Sequence, residues 1–143
     1  MASPIFTQSS EVVVSALTIF LAKLIGLYAL LFGLAMFAQR QAMIEIATAI
    51  IRSGPPLLIL AMLRIVTGLA IVLGHNVWSG GALPLIVTLL GWIVLIRGTI
   101  LLFLSPQAAA RLFEMLHFEE RYYLYAGITV ALGLYLTYAG FAN

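Results

Sequence analysis

Few side chains in this sequence could do chemistry. Arg64 and Arg97 stand inside long apolar runs, and His75 stands four residues before Ser79. A guanidinium held away from water is an anion receptor, because its planar fork meets carboxylate or phosphate oxygens two at a time. A histidine near a serine is part of a nucleophilic constellation, but the carboxylate that would orient it is missing unless Glu11 reaches that side. Hydrolase chemistry is therefore not expected. The second histidine, His117, belongs to a different loop, so haem held by two histidines is not expected either. Cysteine is absent, which removes disulfides, thiolate zinc and iron–sulfur clusters. No catalytic residue, metal or cofactor is expected. The candidate site is Arg64 with Arg97: the two guanidinium groups either snorkel to lipid phosphates or bond loop carbonyls, or they form a place for an anion or a lipid headgroup. His75, Asn76 and Trp78 form a separate polar cluster.

These residues are embedded in a chain that is 64% hydrophobic and 8% charged, where an ordinary soluble domain carries roughly a quarter charged residues. Lipid is the solvent this composition suits. Four apolar runs, Leu17 to Ala38, Leu57 to Trp78, Ala82 to Leu104 and Tyr122 to Phe141, are each long enough to cross, since ~20 helical residues span a ~30 Å hydrocarbon core. Continuous rather than alternating apolarity, and the need to satisfy backbone hydrogen bonds internally, favour helices over a barrel. The expectation is an all-α, four-helix integral membrane bundle forming one domain over residues 1–143. The formal charge of +2, with no Lys/Arg run, argues against a nucleic-acid partner. The first run follows a stretch without Lys or Arg and is too long for a signal-peptide core, so cleavage is not expected.

Basic residues set the orientation. Arg40 and Arg52 lie between spans one and two, Arg111 and Arg121 between spans three and four, and the hairpin between spans two and three has none. The positive-inside rule puts both loops in the cytoplasm and both termini outside. Lys23, about 9 Å inside the first span, is close enough to the outer surface to snorkel to it. Gln41 to Ile51 and Gln107 to Phe118 mix polar and apolar residues and are expected to be short interfacial helices. Gly54-Pro55-Pro56 is expected to turn the chain into span two. The tyrosines at 122, 123 and 125 are expected to form an aromatic belt.

A shift of 65 positions aligns Gly26 with Gly91, Leu30 with Leu95, Gly33 with Gly98, Ala61 with Ala126 and Gly68 with Gly133. The expectation is a parallel repeat of two units, each a span, an amphipathic segment and a span, over about residues 17–78 and 82–141. Small residues at steps of three and four, Ala22, Gly26, Ala29 and Gly33 in span one and Ala126, Thr129, Gly133, Thr137 and Gly140 in span four, mark seams where backbones approach closely. Gly26, Gly33, Gly68, Gly91, Gly98 and Gly133 are the expected packing positions. Arg64 and Arg97 fall at one level, about 10 Å from the cytoplasmic boundary. Arg64 shares a face with Ala61, Gly68 and His75 and is expected to look into the bundle, while Arg97 is expected to face lipid or a neighbouring subunit. Glu45 or Glu114 could lean toward them from the loops. His75 and Asn76 are expected to hydrogen-bond the hairpin and the helix ends, with Trp78 at the interface.

The pattern H-N-x-W followed by T-x-x-G-W-x-x-L-x-[KR]-G, here His75 to Trp78 and Thr88 to Gly98, resembles a widespread group of small bacterial multi-span inner-membrane proteins to which no activity is assigned. The resemblance covers roughly residues 23–106 and implies an inner-membrane location without implying a chemistry. The function expected is that of a structural or accessory membrane protein, self-associating or packed on a larger complex and surrounded by lipid. An oligomeric channel or transporter passing an anion by Arg64 and Arg97, and a binder of lipid, quinone or pigment, are the alternatives.

Overall fold

Ser105, Pro106 and a run of alanines start a helix for reasons that are local. The Ser105 hydroxyl accepts from the Ala108 amide at 3.2 Å, and Pro106 occupies the first turn, where no amide is needed. Prolines do the same after Ser53. In the computed structural model, which describes the backbone of residues 4–142 and the side chains of residues 16–142, Gly54, Pro55 and Pro56 are the first turn of a helix. The turn expected at these residues is thus part of the span itself, because a proline in the first turn removes no bond and its fixed φ suits the helix. Six helices follow one another: α1 (Pro4–Ala38), α2 (Arg40–Arg52), α3 (Gly54–Gly74), α4 (Ala82–Phe103), α5 (Pro106–Met115) and α6 (Tyr122–Ala142).

Four of them are long and apolar enough to cross a membrane: Ala16–Ala38 within α1, and the whole of α3, α4 and α6. The protein is a multi-span membrane protein on this ground. Span two ends at Gly74, short of the expected Trp78, because the chain leaves the helix at His75 and turns through Gly80 and Gly81, whose φ angles of 94° and 115° are open to glycine. That hairpin marks one end of the molecule. The short helices α2 and α5 mark the other, and they touch each other there.

The spans pack as two antiparallel pairs, α1 with α6 and α3 with α4. Glycines set the spacing. A Cβ on Gly26 would stand 2.6 Å from the Thr137 amide nitrogen, one on Gly33 2.6 Å from the Val130 side chain, and one on Gly133 2.6 Å from the Leu30 amide nitrogen. In the second pair, Gly91 faces Ile71 and Val72, Gly98 faces Arg64 and Ile65, and Gly68 faces the Leu95 amide at the same 2.6 Å. A side chain larger than hydrogen at any of the six would meet the facing helix, and at Gly26, Gly68, Gly98 and Gly133 it would meet that helix's backbone at 3.0 Å or less.

The two sets of contacts are one set repeated. Moving the first residue of each contact on by 65 positions and the second back by 65 carries Gly26 on Thr137 to Gly91 on Val72, Gly33 on Val130 to Gly98 on Ile65, and Leu30 on Gly133 to Leu95 on Gly68. The pairing is crosswise: the first span of each unit packs on the second span of the other.

Between the pairs, contact is concentrated toward the hairpin end. A core of Ala22, Ile71, Val87 and Leu136 draws one residue from each span, with Leu21, Ile25, Ile86 and Leu90 against it. At the other end the core is Met36, Ile44, Tyr122 and Ala126, drawn from α1, α2 and α6 alone. Tyr122 was expected in an exposed belt; it is fully buried, and its hydroxyl donates to the Met36 carbonyl at 2.7 Å, beyond the last turn that α1 satisfies for itself. Tyr123 keeps the belt position, exposed and stacked on Phe37.

Candidate functional site

His75 ends α3 with its amide bonded to the Ile71 carbonyl, and its ring is 1% exposed. Each ring nitrogen has a hydroxyl: Nε2 lies 2.7 Å from Thr18 Oγ1 on α1, and Nδ1 lies 3.2 Å from Thr88 Oγ1 on α4. Thr88 does more than meet the ring. Its oxygen accepts from the Val77 amide at 3.2 Å, and its hydroxyl hydrogen is placed for the carbonyls of Val77 at 2.9 Å and His75 at 3.3 Å. With that hydrogen used on a carbonyl, Nδ1 meets Thr88 as a donor when it carries the ring proton, leaving Nε2 to face the Thr18 hydroxyl. This cluster fastens α1 of one pair to α3 and α4 of the other.

The hairpin was expected to be held by His75 and Asn76. Within it the Asn76 carbonyl oxygen accepts from the indole of Trp78 at 2.7 Å on the exposed side, the His75 ring meets Thr88, and the Thr88 hydroxyl holds the hairpin backbone. Sequence reasoning placed Thr88 in a motif without giving it a role and missed Thr18 altogether. Nothing in the chain ties Thr18 to a histidine 57 positions away. Lys23 lies near the hairpin end, its ammonium 4.7 Å from the Phe141 ring centre, as snorkelling requires.

Arg64 and Arg97 are a different kind of site. Gly98 packs against the Cβ of Arg64, which places the two arginines at one depth on neighbouring helices. Both are exposed. The expectation that Arg64 looks into the bundle is corrected: the α3 seam runs through Ala61, Ile65, Gly68 and Val72, and Arg64 lies on its flank. Arg97 and, across on α1, Tyr28 lie within its electrostatic reach. Tyr28 is 68% exposed and stacks on Phe32, with ring centres 6.0 Å apart and planes 9° from parallel.

The geometry here is that of an opening. The faces of α1 and α4 that close together near the hairpin end, at Leu21, Ile25, Ile86 and Leu90, continue one and two turns further as Tyr28, Phe32, Ile93 and Arg97, all exposed. The pairs part where the arginines stand. Among the described residues neither arginine has a hydrogen-bond or carboxylate partner. Glu45 accepts from Gln41 within its own helix at 3.2 Å, and Glu114 lines a small cleft of about 120 Å³ between α2 and α5 with Arg52 and Glu119. The loop carboxylates thus stay at the end of the molecule. Arg40 stays there too, donating to the Glu119 carbonyl at 3.2 Å and lying over Tyr123.

No protein-family model, curated protein or solved structure matches the chain.

Proposed function

We propose that this is a non-enzymatic accessory protein of a bacterial inner membrane, and that its working surface is the opening between its two helix pairs. One observation carries the reading. The glycine faces that would serve association with other helices are consumed inside the chain, whereas Arg64 and Arg97 stand exposed at membrane depth. An arginine near mid-helix costs about 2.5–3.5 kcal/mol to place in a membrane unless a polar group meets it. Two at one level, with no acidic neighbour among the described residues, call for a component from outside the chain. The protein holds that component. The four loop arginines sit with α2 and α5, which supports placing that end in the cytoplasm and the hairpin outside.

A photo-crosslinking side chain tests this in intact membranes. At Ile93, one turn from Arg97, it should trap one defined species. At Leu134, on the outward face of α6, it should trap only bulk lipid. Indistinguishable products from the two positions would remove the opening as a binding surface.

A further inference from the structure

The chemistry of the opening narrows what fills it. The inference rests on the proposed function and names the occupant. Arg64 and Arg97 carry like charge at one depth and repel each other across a medium of low dielectric. An anion lying between them reverses that sign, since both forks then face opposite charge. The anion must also suit the walls. Tyr28 and Phe32 present a stacked aromatic surface on one side, and Ile93 continues the α4 face toward the apolar core.

A small free anion gains nothing from those walls and must leave water to reach them. An amphiphile already in the membrane carries both parts, a charged head and a chain. Arg97 lies six residues from the end of α4 at Phe103, which is about 9 Å by helical rise, and a long arginine side chain covers most of that distance toward the headgroup layer. A phosphodiester has two unesterified oxygens and one negative charge, and two guanidinium forks can share them. We infer that Arg64 and Arg97 together bind the phosphate of an anionic phospholipid from the leaflet on the α2–α5 side, with an acyl chain lying in the opening between α1 and α4.

Native mass spectrometry of the full-length chain, purified in mild detergent, tests it with three probes: phosphatidylglycerol, phosphatidylcholine of the same acyl chains, and inorganic phosphate. Wild type should retain phosphatidylglycerol over phosphatidylcholine by about tenfold or more. The double variant R64Q/R97Q should lose that preference, and R64K/R97K should retain part of it, because a point charge replaces a fork. R111Q/R121Q, which removes two exposed loop charges, should keep it, and this separates a defined site from general attraction to basic residues. Thermal unfolding of R64Q/R97Q should stay at the wild-type value, because both side chains are exposed; if it falls, the single variant R97Q carries the test, with a loss of preference expected.

Equal retention of the two lipids by wild type would overturn the inference, as would a preference that survives in R64Q/R97Q and R97Q. Displacement of the lipid by millimolar inorganic phosphate, with phosphate bound in its place, would make this a free-anion site and also overturn it. A protein trapped at Ile93 instead of a lipid would leave the proposed function standing and remove the lipid phosphate. Products at Ile93 no different from those at Leu134 would remove both.

Discussion

At the scale of single residues, the arginines and His75 were legible as the polar groups at membrane depth, because charge and hydropathy are properties of a residue and its neighbours in the chain. Their partners were not. His75 meets Thr88 within its own helix pair and Thr18 across to the other, and threonine is common enough in membrane helices to carry no signal by itself. The direction of Arg64 was misread for a related reason. A helical wheel puts it beside Gly68, but a seam only two helices wide buries fewer positions than a closed four-helix core does. The prediction at this scale concerns Thr88. Replacing it by valine keeps the shape and removes a hydroxyl that serves a ring nitrogen, an amide and the hairpin carbonyls, which should cost about 1–3 kcal/mol. T99V is the comparison, since the Thr99 hydroxyl bonds only the Leu95 carbonyl of its own helix and should be close to neutral. Thermal unfolding of both variants in one detergent checks it; equal losses would mean that Thr88 is not a hub.

Among the elements, the seams were the most legible feature, because small residues at helical spacing have one physical use in lipid: letting two backbones meet where apolar burial alone gives no preference. What escaped was the behaviour of ends. Gly54-Pro55-Pro56 signals a break in any soluble sequence, yet the same residues make a good first turn. Tyr122 looked like its two tyrosine neighbours, and only the position of α1 shows which of them turns inward to the Met36 carbonyl. The seam prediction is a graded series on α6. Gly133→Leu should force the α1–α6 pair apart at a cost of about 1–3 kcal/mol, because even a Cβ there would stand 2.6 Å from the Leu30 amide nitrogen. Leu134→Ala, on the exposed face, should cost well under ~1 kcal/mol. Gly127→Ala should stabilise by about 0.5–1 kcal/mol, since a Cβ there meets nothing within 4 Å. Thermal melts of the three rank them, and equal losses at positions 133 and 134 would mean the seam is misplaced.

For the whole molecule, the 65-residue repeat was visible in the sequence and recurs as repeated contacts, but the partner of each helix was not legible. The spacing of glycines fits a span to any other span with the same spacing, and the loops carrying α2 and α5 are long enough to allow either choice. The membrane orientation yields the third prediction. Glu45→Cys on α2 and Ser79→Cys in the hairpin are both at exposed positions in a chain without native thiols. They should react with an impermeant reagent from opposite sides, position 79 from outside intact cells and position 45 only after the membrane is opened. Labelling of position 45 from outside would reverse the orientation.

The crosswise pairing also sets an order on synthesis. A chain enters the membrane from its N-terminus, and α3 and α4, joined by a tight hairpin, can zip as soon as both have emerged. Helix α1 has to wait for α6. Until α6 is inserted, the glycine face of α1, from Ala22 to Gly33, lies open to lipid and to other proteins, because Thr137, Val130 and Gly133 do not yet exist to cover it. This is a non-local closure and so the slow one. A chain released before Tyr122 therefore leaves in the bilayer a finished hairpin beside a helix whose glycine face is uncovered.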